Sequence, residues 1–331
     1  MFEQRKEIRL PKDMPPQLVV VIDTEEEFDW NAEPDARATG VSAMANIARV
    51  QDIFNEYGVR PCYVIDYPVA SQESGYRLLK QFAEKGQCDI GAHLHPWVNP
   101  PREETLSRSN MYPGNLPEDL ERQKLEILSN TIRENLGVSP VAYKAGRYGF
   151  GPNTTGILQK LGFGIDLSVC PPLDSRADGG PDYRRFDAHP FWFGGDEKPI
   201  LELPCTGGFI GWATAAAIPL FETAQMFRKL KAPGILSRLG AVDRLMLSPE
   251  GFTPAEHIKV TKALYHQGVR TFTWSFHSPS VVPGNTSYVQ NEQQLQQFLD
   301  SFRKFFDFFF NDLGGEASTP PRVRRLMESM A

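Results

Sequence analysis

Short apolar runs alternate along the chain with longer segments whose apolar residues recur at helical spacing. The run over residues 18–23 is rich in β-branched residues and predicts a buried strand. Residues 42–57 show helical spacing and end at Gly58, a typical helix stop. Further strands are predicted at 60–66, 88–92, 141–144, 163–169, 200–203 and 270–276, and further helices at 75–85, 117–136, 153–161, 221–230, 254–266 and 291–310.

This succession of strands and helices predicts right-handed crossovers and a parallel sheet, either open or closed as a barrel. We expect one main domain over residues 18–312, an N-terminal extension over 1–17 and a flexible C-terminal tail over 313–331. Between residues 170 and 199 the periodicity fails and proline and glycine are frequent. That segment is predicted to be an irregular insertion that forms a wall of the site.

Composition restricts the class of protein. The net charge of −6, without a long basic run, argues against nucleic-acid binding and favours a neutral or polar substrate. The four cysteines are widely spaced, which indicates buried thiols rather than a disulfide framework. Neither a secretory leader nor an apolar run of membrane-spanning length is recognisable, so we expect a cytoplasmic protein with no membrane span.

A pair of histidines carries the most specific chemistry. His93 and His95 lie one residue apart where an apolar segment ends, and Asp23 and Glu25 follow the first predicted strand. Two imidazoles and a carboxylate, with one open position for water, are typical of a catalytic zinc site. The alternative interpretation is that the histidines are a solvated pair beside Trp97.

Other polar residues also follow predicted strands. If the strands form a barrel, their carboxyl ends open on one face, where these residues could converge with the histidines. Each has a structural alternative: a solvated acidic turn for Asp23, a surface cation for Arg147, a helix N-cap for Asp166 and a core histidine for His277.

Five blocks, in order, resemble those of the polysaccharide deacetylase family, also called the NodB-homology or carbohydrate esterase family 4 domain. The His-Leu-His-Pro-Trp, Ala-Gly-Arg-Tyr-Gly and His-Ser-Pro-Ser motifs are similar to a branch of sugar deacetylases found in envelope-polysaccharide gene clusters. One residue is inserted between the first two acidic residues, one residue rather than three separates the histidines, and the third block lacks its proline. The blocks are Ile22-Asp23-Thr24-Glu25, Gly91-Ala92-His93-Leu94-His95, Arg147-Tyr148-Gly149, residues 162–168 and residues 273–279.

The resemblance implies a distorted (β/α) TIM-like barrel, with seven parallel strands, that removes N-acetyl groups from an amino sugar of a polysaccharide or glycan precursor. It implies that Asp23 is the catalytic base. It also implies that Glu25, His93 and His95 hold a divalent metal, Zn²⁺ with Co²⁺ or Mn²⁺ as alternatives.

The later blocks complete the implied machinery. Arg147 would keep the base carboxylate ionised, and Tyr148 would offer its backbone N–H to the oxyanion. His277 would be the general acid, with Asp166 orienting it and tuning its charge.

Substrate binding is assigned to Asp66, Trp97 and Trp274. For Asp66 an N-cap is an equally open interpretation, and aromatic residues in such a chain are more often part of the core. Glu26, Glu27 and Asp29 are expected to face solvent or substrate. Further aromatic residues expected near the mouth are Trp30, Tyr148, Tyr183 and Trp192.

Two rival functions remain at this stage. One keeps the fold and hydrolyses a cyclic amide, as allantoinases do. The other is a carbohydrate-binding homologue without catalysis, which the shortened spacing between the histidines makes worth testing.

Overall fold

Strands and helices alternate along most of the chain in a computed structural model that describes residues 2, 5–30, 32–227, 229 and 231–330. The strands are β1 (Lys6–Glu7), β2 (Gln17–Thr24), β3 (Cys62–Ile65), β4 (Asp89–Leu94), β5 (Tyr143–Ala145), β6 (Ile165–Asp166), β7 (Phe191–Phe193), β8 (Ile200–Glu202), β9 (Gly207–Ile210), β10 (Asp243–Met246), β11 (Thr271–His277) and β12 (Glu316–Ser318). The helices are α1 (Ala48–Glu56), α2 (Tyr67–Ser71), α3 (Glu73–Glu84), α4 (Glu118–Leu136), α5 (Thr154–Leu161), α6 (Ala217–Met226), α7 (Ala232–Arg238), α8 (Pro254–His266), α9 (Glu292–Phe306) and α10 (Pro320–Glu328).

Seven parallel strands form the centre of one curled sheet, in the order β8-β6-β5-β4-β3-β2-β11. β7 and then β1 extend the β8 edge in the antiparallel sense. Within the described residues β1 and β11, at the two ends of this path, do not pair with each other, so the sheet is a half-barrel. The expected distorted α/β barrel with seven parallel strands is confirmed in this open form.

Alternating side chains of β2 point to opposite faces of the sheet, as strand geometry requires. Leu18, Val20 and Ile22 join the large core beneath the helices, which we call the outer face. Val19 and Val21 join a smaller apolar cluster, which we call the inner face. Because this alternation continues to the carboxyl ends of the strands, it decides which polar residues can meet there.

The C-terminal segment is ordered, so the expectation of a flexible tail was wrong. β12 pairs in parallel with the first residues of β2. Thr319 caps α10 by accepting a hydrogen bond from the Arg322 N–H. Val323 and Met327 of α10 are buried in the inner-face cluster. Burial of this apolar pair contributes to holding the segment against the sheet.

Residues 207–246 form an excursion from the main sheet, for which the sequence predicted only a helix. β9 and β10 pair as an antiparallel hairpin, and α6 and α7 lie between them. The excursion begins just after β8 and ends just before α8. No helix within the described ranges is long and apolar enough to cross a membrane.

Candidate metal centre and acid–base pair

Four polar side chains meet at the carboxyl end of the inner face. Asp23, His93, Lys144 and His277 come from β2, β4, β5 and β11, and the residue that precedes each of them belongs to the outer-face core. They border or underlie a cleft of about 250 Å³. The cleft is lined by Asp23, Glu25, Phe28, Trp30, His93, His95, Tyr112, Arg147, Tyr148, Leu173, Ser175 and His277. Leu173 and Ser175 belong to the predicted insertion, which therefore contributes a wall of the cleft.

Glu25, His93 and His95 bring their ligand atoms within 4.8 Å of one another. The Nε2 atoms of the two histidines are 3.0 Å apart, and each lies 3.5 Å from Oε2 of Glu25. All three side chains are almost completely buried. The shortened spacing between the histidines therefore still directs both rings to one point.

The hydrogen bonds of these rings leave their lone pairs directed at that point. His93 Nδ1 lies 3.0 Å from the backbone oxygen of Lys144, which can only accept, so Nδ1 donates and Nε2 carries the lone pair. Burial lowers the pKa of His93 and lowers that of His95 to about 4, so both rings are neutral at pH 7. Oε1 of Glu25 is buried and has no hydrogen-bond partner among the described residues. Two neutral imidazoles and a carboxylate that converge in this way fit a divalent cation.

A second layer of side chains holds His95. Its Nδ1 lies 2.8 Å from Oε2 of Glu26, and its ring stacks on Trp97 with centroids 4.3 Å apart. Asp66 accepts hydrogen bonds from the backbone N–H groups of Glu26 and Val69, and the second of these caps α2. Burial raises the pKa of Glu26 to about 8 and that of Asp66 well above its ordinary value, so this pair holds at least one proton at pH 7.

These contacts correct three expectations. Asp66 and Trp97 were assigned to substrate binding, but both are buried and neither lines the cleft. Glu26 was expected to face solvent or substrate, but it is fully buried against His95. The three side chains lie around His95 and not on the surface of the cleft.

Asp23 pairs with Lys144 and not, as expected, with Arg147. The Nζ atom of Lys144 donates to both carboxylate oxygens, at 2.6 and 2.8 Å. Burial alone would raise the pKa of Asp23, but the charge and hydrogen bond of Lys144, together with the neighbouring His93 and His277, outweigh burial and the pKa is lowered. Arg147 lies at the cleft wall instead, where it donates to Asp178 and to the hydroxyl of Tyr112.

His277 is oriented by Glu250 and not, as expected, by Asp166. Its Nδ1 lies 2.7 Å from Oε2 of Glu250, and its Nε2 lies 3.6 Å from Oδ2 of Asp23. Burial lowers the pKa of His277, but the charges of Glu250 and Glu25 outweigh this and raise the pKa to about 10. The imidazole is therefore protonated at pH 7 and lies beside an ionised carboxylate.

Asp166 cannot reach His277 because it points to the other face of the sheet. Its neighbours Ile165 and Leu167 belong to the inner-face cluster, so its own side chain is directed outward. There Oδ1 of Asp166 accepts from the hydroxyl of Ser168, and Glu202 is its register partner on β8. Asp166 is a buried structural carboxyl group in this protein.

Strand alternation also places Trp274 outside the site. Trp274 lies in phase with Phe272 and Phe276 on the outer face, and its ring stacks on Phe305 of α9 with centroids 4.6 Å apart. It is completely buried, so its assignment to substrate binding was wrong. The aromatic ring that does stand beside His277 is that of Trp30, with centroids 4.6 Å apart.

Tyr148 lines the cleft, as expected, through an unusual backbone. Arg147 and Tyr148 have φ values of 53° and 61°, the left-handed region that non-glycine residues seldom occupy. The backbone oxygen of Tyr148 accepts from the hydroxyl of Tyr183, and the ring of Tyr148 lies 5.0 Å from Nζ of Lys144. This turn holds both side chains against the cleft.

Three residues of the site escaped the sequence analysis. The run over residues 141–144 predicts only a strand, although a lysine within an apolar strand indicates a buried ion pair. Glu250 follows the apolar run 245–247 of a segment for which no strand was predicted. Glu26 was one of several adjacent carboxylates, and nothing in the sequence distinguishes the buried one from the exposed ones.

Comparison with solved structures identifies the fold. A Mycobacterium smegmatis protein described as a polysaccharide deacetylase aligns with a TM-score of 0.60 and 14% identity, covering 98% of this chain and 94% of that one. A Pseudomonas aeruginosa PAO1 protein described as a polysaccharide deacetylase and PuuE allantoinase each align with a TM-score of 0.50 and 14% identity, covering 94% of this chain and 89% of theirs. Neither a family model nor a curated protein matches the chain. The chain therefore has the NodB-type fold of polysaccharide deacetylases.

Proposed function

We propose that this protein is a metal-dependent hydrolase that removes the N-acetyl group from an amino sugar of a polysaccharide or glycan precursor. One observation carries the proposal. Three convergent metal-ligand atoms border the same cleft as an ionised carboxylate and a protonated imidazole. Hydrolysis of an unactivated amide needs a stronger nucleophile than water, stabilisation of the oxyanion and a proton for the leaving nitrogen.

Glu25, His93 and His95 would hold the metal, and Zn²⁺ is the ion that this set of one oxygen and two nitrogen ligands favours. When bound, a divalent ion supplies Lewis acidity for the acetyl carbonyl and lowers the pKa of water. Glu26 holds the ring of His95 in place, and the backbone oxygen of Lys144 does so for His93. Such outer contacts fix the tautomer and direction of a metal-binding imidazole.

Asp23 and His277 divide the proton transfers. Asp23, which Lys144 keeps ionised, removes a proton from the attacking water. His277, which Glu250 keeps protonated, gives its Nε2 proton to the sugar nitrogen as the C–N bond breaks. Acetate and a free amine are the products.

The surroundings of the cleft support a glycan over a small cyclic amide. A neighbouring depression of about 450 Å³ shares Phe28 and Trp30 with the cleft. Its remaining lining is mostly polar and includes Asn285, Thr286 and Gln290. Aromatic and polar side chains therefore continue from the cleft into this depression, where they can accommodate further sugar rings.

Arg147 and Tyr148, which also line the cleft, complete the proposal. Arg147 reaches the cleft beside Tyr112, where its guanidinium can donate to hydroxyl or carbonyl oxygens of the sugar. The backbone N–H of Tyr148 is proposed to donate to the oxyanion.

Release of acetate from N-acetylglucosamine oligomers, before and after chelation, tests the proposal. We expect chelation to abolish release and Zn²⁺ or Co²⁺ to restore it. Full activity in excess chelator would contradict metal catalysis. Hydrolysis of allantoin without release of acetate from any N-acetylated sugar would favour the cyclic-amide alternative.

Two variants separate metal binding from proton transfer. His277→Ala should lose turnover and keep its bound metal, whereas His93→Ala should lose both. Failure of the wild-type protein to bind any divalent metal would favour a carbohydrate-binding protein without catalysis.

A further inference from the structure

The excursion over residues 207–246 exposes an unusual amount of apolar surface. Nine large hydrophobic side chains are exposed in the described part of the chain, and six of them belong to this excursion. Trp212, Met226 and Leu239 are 77%, 82% and 66% exposed, respectively. The other three are Leu220, Phe227 and Ile235. A concentration of large exposed apolar side chains in one segment is typical of a site of interaction.

Contacts within the excursion bring several of the exposed residues near one another. The Nε1 atom of Trp212 donates to the backbone oxygen of Leu239 at 3.1 Å, which places the indole at the end of α7. Ile235 and Leu239 are four residues apart and therefore lie on one side of that helix. α6, which leads to Met226 and Phe227, packs against α7. We call this apolar surface of the excursion the docking face.

The charge around the docking face is positive, unlike that of the rest of the chain. The excursion contains five basic and two acidic residues, a net charge of +3, within a chain whose net charge is −6. Both acidic residues are paired with cations outside the excursion, Glu222 with Arg184 and Asp243 with Lys259. Lys229, Lys231 and Arg238 are exposed.

We propose that the docking face binds the surface of an anionic lipid bilayer. Exposed tryptophan, phenylalanine and aliphatic side chains bordered by lysine and arginine are the composition of segments that lie in the membrane interface. Basic residues next to such a surface are attracted to anionic headgroups, and the apolar side chains then leave water. A second copy of this chain offers a weaker match, because two identical basic faces would repel each other.

The position of the excursion connects this binding to the cleft. The excursion follows β8 at the carboxyl edge of the sheet, the edge at which the cleft opens. The ion pair between Glu222 and Arg184 ties α6 to the insertion, which also supplies Leu173 and Ser175 to the cleft wall. If the proposed deacetylase function holds, a docked protein acts on glycans carried at the bilayer surface.

Vesicle flotation with the full-length protein tests the docking face without any substrate. Binding is expected to vesicles of equal parts phosphatidylglycerol and phosphatidylcholine, weaker binding to phosphatidylcholine alone, and weaker binding as salt increases. Met226→Ser combined with Ile235→Ser, and separately Lys229→Glu combined with Lys231→Glu, should each weaken binding by about tenfold or more. Two control variants should bind like the wild type, namely Leu106→Ser for exposed apolar surface and Arg77→Glu with Lys85→Glu for exposed charge.

Three outcomes would overturn the proposal. The first is no binding to anionic vesicles, and the second is an equal loss of binding in the control variants. The third is self-association that Met226→Ser combined with Ile235→Ser abolishes in a protein that does not bind vesicles. Bound metal and acetate release from a soluble oligomer, measured on the same variants, keep a failure of the docking face distinct from a failure of the proposed activity. Both quantities should be unchanged in every variant of the docking face, because none of the substituted residues lies in the cleft.

Discussion

Lys144 holds Asp23 by both of its carboxylate oxygens, at 2.6 and 2.8 Å, and both side chains are almost completely buried. The two residues come from β5 and β2, which are separated in the sheet by β4 and β3. Curling of the sheet brings them together across its inner face. The pair explains how the proposed base remains ionised although it is largely buried.

Replacing Lys144 tests this relationship. Lys144→Met should reduce acetate release by at least about 100-fold and lower the free energy of unfolding by about 3–5 kcal/mol, because it leaves a buried carboxylate without its partner. Where the variant folds, the acidic limb of the activity profile should move to higher pH, since burial then dominates the pKa of Asp23. Asp23→Asn combined with Lys144→Met should recover stability without activity. If the acidic limb of the Lys144→Met profile lay at the same pH as that of the wild type, the pairing of Lys144 with Asp23 would be contradicted.

Glu250 should set the alkaline limit of activity. The pKa of His277 is raised to about 10, with Glu250 the largest cause that raises it, and the proposed general acid must be protonated to act. Activity should therefore fall as pH rises through that value. Glu250→Gln should move the limb to lower pH by more than about one unit while leaving the bound metal in place. As a comparison, Asp166→Asn should leave the limb where it is, because Asp166 faces the outer side of the sheet. A shift in Asp166→Asn alone would refute the assignment.

Glu26 should strengthen metal binding without being a ligand. Its carboxylate holds Nδ1 of His95 at 2.8 Å. Glu26→Ala is expected to weaken zinc affinity by about 10–100-fold, the usual effect of removing the outer partner of a metal-binding histidine. The neighbouring Glu27 contacts Ser42 and the backbone of Ala43 instead, so Glu27→Ala should leave the affinity unchanged. Competition with a chromogenic chelator measures both, and equal affinities in the two variants would exclude a role for Glu26.

His257 should make the protein less stable in mild acid. It is completely buried against Trp274, its Nε2 lies 2.7 Å from the backbone oxygen of Ser248, and burial lowers its pKa to about 4. Between pH 6.5 and 4 the unfolded chain takes up this proton and the folded one does not, so stability is fully present above pH 6.5 and decreases as pH falls. The expected loss is about 3 kcal/mol.

Urea unfolding of His257→Gln across this range should show a flatter dependence on pH than the wild type. His266→Gln, on the exposed side of the same helix, is the matched control and should retain the wild-type slope. Identical slopes in all three proteins would show that His257 is not a source of the acid sensitivity.

The sequence alone determined the order of the seven central strands, most of the helices between them and the residues at the carboxyl ends of several strands. Apolar runs and helical periodicity report burial directly, so the α/β class and the parallel sheet could be predicted from them. The same reasoning placed Asp23, Glu25, His93, His95 and His277 at one rim, and the structure brings all five together there. A strand end fixes where a side chain is along the barrel axis.

Only the tertiary structure decided which residues hold Asp23 and His277 in place, and to which face of the sheet each side chain points. Asp23 pairs with Lys144 and not with Arg147 because the sheet curls across four strands. This curl is a long-range property that local sequence does not encode. The choice of Glu250 over Asp166, and the burial of Trp274, depend on the phase of each strand, because a shift of one residue turns a side chain to the opposite face. The ordered C-terminal segment follows the same principle, since its apolar residues find a partner only after the inner face of the sheet has formed.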